Sequence, residues 1–111
     1  MDVRKINDTF SVAGQIDAAQ VATLAQAGFK TIICNRPDDE QPGQPAFASI
    51  EAAAKDAGLE VHYIPVLSSG MTYENVDATR AAMADAPTPI LAYCRSGARS
   101  TQLYGVATGR A

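Results

Sequence analysis

The sequence has no tryptophan, one histidine and two cysteines in 111 residues. A lone His62, with no Cys-x-x-Cys and no Cys/His cluster, cannot assemble a zinc site. Charge is scarce as well. Charged residues make up 19% and the net charge is -3, so nothing predicts a nucleic-acid or acidic-membrane partner. No window approaches the length of a membrane-spanning helix. The opening "MDVRKINDTFSV" lacks the apolar stretch of a secretory leader. Together these absences predict a cytoplasmic chain whose two thiols stay free.

What is present is apolar. At 47% hydrophobic residues, the chain can bury a core of one domain spanning 1–111. Strand and helix patterns alternate. "TFSVAGQI" (9–16) predicts a strand closed by Gly14, and Asp17 with Gln20 forms a capping box for a helix ending near Gly28. "KTIICN" (30–35) is a β-branched run suited to a buried parallel strand. "RPDDEQPGQP" (36–45) is a loop, and an alanine-rich helix over 46–58 follows. A strand over 60–66, a helix over 73–86 capped by Thr72, a strand over 88–93 and a last helix complete the pattern. The expected class is α/β, with a central, mostly parallel sheet of four to five strands flanked by helices. In such sheets the site lies beyond the carboxyl ends of the strands. The segments after Asn35, after Val66 and at Cys94 all reach that end.

The chemistry concentrates in "LAYCRSGARS" (91–100). A buried strand runs into Cys94, and a tight loop opens into a helix. Such a loop turns several backbone N–H groups inward and adds the helix N-terminus. Both favour thiolate over thiol, so Cys94 is the expected nucleophile. Arg95, Ser96, Gly97, Ala98, Arg99 and Ser100 form the expected anion-binding cradle. The hydroxyls of Ser96 and Ser100 are expected to donate to the sulfur or its adduct. Cys34, inside a buried strand, reads as packing, with a lesser chance of resolving an oxidised Cys94. Arg36, Asp38 and Glu40 are expected near the mouth, with Arg36 paired to Asp38 or Glu40 so as to brace the cysteine loop. Asp39 reads as solvated. "SSG" (68–70) is either a rim or an ordinary loop. His62 reads as structural. Tyr63 and Tyr93 read as core or wall, and Tyr104 as helix packing.

"YCRSGARS" resembles the active-site loop of rhodaneses, Cys-Arg-x-Gly-x-Arg/Thr, at Cys94, Arg95, Gly97 and Arg99. The wider chain, through "FSVAGQI", "NRPDDEQ", "YIPV" and "ILAYCRSGARS", resembles the beta-lactamase-hydrolase-like, phosphatase-like family. That resemblance implies a fold similar to dual-specificity protein phosphatases. It also supports Arg36, Pro37, Asp38 and Glu40 near the site. Members of that group often stand beside sulfide-oxidation proteins, which implies a separate protein of that kind as a partner.

Two enzymatic readings compete. Cysteine phosphatases carry Cys, five residues, then Arg; here four residues separate Cys94 from Arg99, and Ser100 takes the arginine's place. Tyr93 stands where such phosphatases place His, and the loop over 66–71 holds no acid to protonate a leaving group. These departures favour sulfur transfer. A small anionic donor (thiosulfate, glutathione persulfide or coenzyme A persulfide) would leave its outer sulfur on Cys94, and a thiol acceptor would remove it. Arg95 and Arg99 would bind the donor. A cysteine-dependent phosphatase is the alternative, and a non-catalytic persulfide carrier or redox module the second. None needs a cofactor or metal.

Overall fold

Period-two burial in three short strands sets the layering. A computed structural model of the chain describes residues 1–109. In β2 (Phe10–Ala13), Phe10 and Val12 join one core while Ala13 joins the other. In β3 (Thr31–Cys34), Ile33 faces the first core, and Ile32 and Cys34 the second. In β5 (Ile90–Tyr93), Ile90 and Ala92 face the first, and Leu91 and Tyr93 the second. Strands buried on both faces need helices on both faces. Helices α1 (Ala18–Gln26) and α2 (Phe47–Asp56) cover one side through Val21, Leu24, Ile50 and Ala54. Helices α3 (Tyr73–Asp85) and α4 (Ala98–Thr108) cover the other through Val76, Ala82, Leu103 and Tyr104.

The sheet has five strands in the order β1-β2-β5-β3-β4, with β4 at Glu60–Tyr63. All neighbours run parallel except β1 (Arg4–Asn7), which is antiparallel to β2. The expected α/β class and mostly parallel sheet are therefore present. β5 lies in the middle, so its carboxyl end, where Cys94 follows, is flanked by the ends of β2 and β3. Asn35 ties these ends together: its N–H donates to Tyr93 O (2.8 Å) and its side chain to Ile64 O (2.9 Å).

The strand limits differ in places from the sequence expectation. β1 was not expected, because "RKIN" shows no apolar alternation; its backbone pairs as a charged edge hairpin. The strand expected within 9–16 and closed by Gly14 ends at Ala13, and residues 14–16 pass behind the cysteine loop. The strand expected over 60–66 ends at Tyr63. Both expected caps are present, Asp17 with Gln20 and Thr72 with Asn75. No helix among the described residues is long and apolar enough to cross a membrane.

Candidate active site

Cys94 leaves the end of β5 with 1% of its surface exposed. The chain then turns through Arg95, Ser96 and Gly97 into α4. Gly97 has φ 94°, which a side chain rarely tolerates, and caps α4 without a side-chain bond. This turn directs the Gly97 N–H onto the Cys94 sulfur at 3.0 Å. Burial alone would raise the Cys94 pKa; hydrogen bonds from the backbone N–H groups of Ser100, Ser96, Gly97 and Arg99 overcome it and leave the thiol below its ordinary range. The sulfur thus sits at a helix start, under the Gly97 N–H.

The side chains of the cradle are placed differently from expectation. Ser96 Oγ accepts from the Ala98 N–H (3.3 Å), and Ser100 Oγ is buried without a partner. Neither hydroxyl donates to sulfur among the described residues; the Gly97 N–H does. The Ala98 amide is turned to Ser96 rather than to Cys94. Arg95 is exposed at the mouth and has no acceptor among the described residues.

Arg99 reaches over the loop to Glu40. Its Nη1 donates to Glu40 Oε2 (2.7 Å) and to Val66 O (2.8 Å), and its Nη2 to Glu40 Oε1 (2.9 Å). Arg36, 3% exposed, donates to Glu40 Oε1 (3.0 Å), Gln15 Oε1 (3.1 Å) and Gln41 Oε1 (3.1 Å). The Arg99 hydrogen bonds, with help from Arg36, overcome partial burial and hold the Glu40 carboxyl down at about 2. Glu40 also keeps Arg99 charged, against burial, and the Cys94 thiolate adds to that effect. A cavity of about 230 Å3 opens here, lined by Arg36, Glu40, Gln41, Ser68, Arg95 and Arg99.

Of the loop residues expected at the mouth, Arg36 and Glu40 line this cavity and Asp38 does not. Asp38 Oδ1 accepts from the Phe47 N–H (2.8 Å) at the start of α2, and its own N–H donates to the Tyr63 hydroxyl (3.0 Å). The N-cap residue of α2, Ala46, makes no side-chain cap bond, and Asp38 supplies one from nine residues before Phe47. Asp39 is exposed, with φ 63° in the turn. Gln15, Gln41 and the Val66 carbonyl are site residues that the sequence did not reveal, since nothing marks a glutamine or a backbone oxygen as a partner of arginine.

Cys34 is buried, and its Sγ donates to Arg36 O (3.3 Å). Burial pushes this thiol up, opposite to Cys94. The buried Tyr93 hydroxyl stands beside Cys34, and burial raises it strongly. Tyr63 stacks on Phe47 with centroids 4.6 Å apart, and Tyr104 packs on Phe10 at 4.2 Å. His62 is half-buried, 3.5 Å from Glu60.

The family model described as "Beta-lactamase hydrolase-like protein, phosphatase-like domain" matches residues 2–111. The chain belongs to that family. The Beta-lactamase hydrolase-like protein of Agrobacterium fabrum is 38% identical over 104 residues, 94% of this chain and 24% of its own length. This chain thus spans about a quarter of the length of the curated relatives it matches. A proposed phosphatase from Neisseria meningitidis superposes with TM-score 0.85 at 38% identity, covering 95% of this chain and 75% of the other. The core catalytic domain of a PP-IP phosphatase from S. cerevisiae superposes with TM-score 0.72 at 13% identity, covering 96% of this chain and 64% of the other. That likeness shows the fold alone, a cysteine-phosphatase architecture.

These similarities correct the expected chemistry. Sulfurtransferase was ranked above phosphatase on the short loop, but the similar solved structures are described as phosphatases, one of them at 38% identity. With four residues between Cys94 and Arg99, the Gly97 N–H reaches the sulfur and Arg99 lines the mouth.

Proposed function

We propose that this domain is a cysteine-dependent phosphatase acting on small anionic phosphate monoesters. The carrying observation is the Cys94 sulfur at the start of α4, accepting from the Gly97 N–H at 3.0 Å and held below its ordinary range by the loop amides, with Arg99 lining the cavity at the mouth. That arrangement favours an anion twice, first as thiolate and then as a phosphoryl group whose oxygens replace it as acceptors. The Cys94 thiolate attacks phosphorus; an S–P bond forms as the P–O bond to the leaving group breaks. The leaving oxygen takes its proton from water. A second water attacks the phosphocysteine, the S–P bond breaks, and inorganic phosphate leaves with the thiolate restored. Arg95, whose guanidinium is uncommitted, binds the incoming phosphate at the mouth.

The test is phosphate release from para-nitrophenyl phosphate, with rapid-quench mass spectrometry of the protein. A phosphoryl adduct on Cys94, and no turnover by Cys94→Ser, is expected. Turnover that survives in Cys94→Ser, or no phosphate release by the unaltered chain, would end this reading.

A further inference from the structure

Two consecutive peptide units of the cysteine loop are held from behind. A trans peptide is planar, so its C=O and N–H point in opposite directions. The Arg95 carbonyl accepts from the Gln15 N–H (3.2 Å), and the amide of the same unit is that of Ser96, which helps to lower the Cys94 pKa. The Ser96 carbonyl accepts from the guanidinium of Arg4 (2.7 Å), and the amide of that unit, that of Gly97, donates to Cys94 Sγ (3.0 Å). Arg4 lies on the edge strand β1, 92 positions from Ser96. Its Nη2 fills the space that a Cβ on Gly97 would need.

The Ser96–Gly97 unit is the one most free to turn over, because glycine tolerates both signs of φ. Turned over, it would aim a carbonyl oxygen at the thiolate and remove a donor. We propose that Arg4 is a positioning residue for the nucleophile: it holds the Ser96 carbonyl outward, and so the Gly97 N–H inward, from outside the site. Its action reaches Cys94 through one peptide unit, without contact with substrate. The other charged groups around Cys94 are Arg95 and Arg99 of the loop and α4, and Arg36 and Glu40 of the segment after β3. None of these holds the Ser96 carbonyl. The inference does not depend on the phosphatase reading, since its measure is the thiol itself.

The experiment follows the rate of Cys94 alkylation by iodoacetamide against pH, in Arg4→Met, Arg4→Lys and, as a control on the same strand, Lys5→Ala. Cys34→Ala serves as the common background, and thermal melts accompany each variant. Met keeps the alkyl stem and removes every donor. The expected result is a folded Arg4→Met whose alkylation midpoint moves up, with a rate roughly ten- to a hundredfold lower in mildly acidic buffer, the scale of one lost hydrogen bond to a charged group. Arg4→Lys recovers most of the rate, and Lys5→Ala matches the parent. An unchanged midpoint in folded Arg4→Met overturns the proposal. So does loss of folding in that variant, which would make Arg4 a structural residue instead.

Discussion

Glu40 grips Arg99 by both carboxylate oxygens, at 2.7 and 2.9 Å, while taking a third hydrogen bond from Arg36 at 3.0 Å. The two arginines come from opposite sides of the mouth, one from α4 and one from the segment after β3. A single carboxylate therefore holds the Arg99 guanidinium at the mouth. Held at about 2, that carboxyl stays ionised at neutral pH.

Glu40→Gln should keep the fold but loosen Arg99, since a neutral amide offers one acceptor oxygen instead of two charged ones. kcat/KM for an aryl phosphate is expected to fall about tenfold, equivalent to about 1.4 kcal/mol of transition-state stabilisation. Steady-state kinetics decide it. An unchanged kcat/KM would mean that Arg99 is positioned by the Val66 carbonyl alone.

The same pair makes a prediction about acid. The folded Glu40 pKa, about 2, lies below the ordinary 4.5, so the pair contributes stability that is complete above the ordinary value and lost as pH falls through about 2. Glu40→Gln carries no such dependence. The stability difference between the unaltered chain and Glu40→Gln should therefore be largest near neutral pH and shrink steadily in acid. Urea titrations at several pH values measure it, and a difference that grows in acid would contradict the assignment.

The two thiols should separate by reactivity. Cys94 is held below the ordinary thiol range by the loop amides, and Cys34 above it by burial. Brief iodoacetamide treatment in mildly acidic buffer, followed by peptide mapping, is expected to label Cys94 and spare Cys34. Labelling of Cys34 first would reverse the roles given to them.

Layering and the nucleophile were legible because they rest on local signals. Alternation in "TIIC" and "ILAY" fixes which residues face each core, and a strand, a tight glycine turn and a helix start suffice to mark Cys94. The rest depends on long-range geometry. Nothing within "RPDDEQ" says that Asp38 turns to cap α2 while Glu40, two residues on, turns to Arg99; the position of α2 decides that. Arg4 was invisible because its strand has no apolar period and its partner is a backbone oxygen. The number of residues in the loop does not separate the two chemistries, because four residues before Arg99 are enough to turn the Gly97 N–H onto the sulfur.

The loop after β4 leads to the last prediction. Between Val66 and Met71 there is no Asp or Glu, and Ser68 is the residue of that segment lining the mouth. Glu40 is ionised and committed to two arginines, so it cannot donate a proton. Without a general acid, the leaving oxygen must depart as an anion or draw on water, and the missing contribution is typically about a hundredfold or more. The rate should then depend steeply on the leaving group. Across a series of aryl phosphates, log kcat/KM is expected to fall strongly as the phenol pKa rises, with alkyl phosphates turned over slowest. A flat dependence would show that a proton donor acts in the step, and Ser68→Ala would then be the first variant to examine.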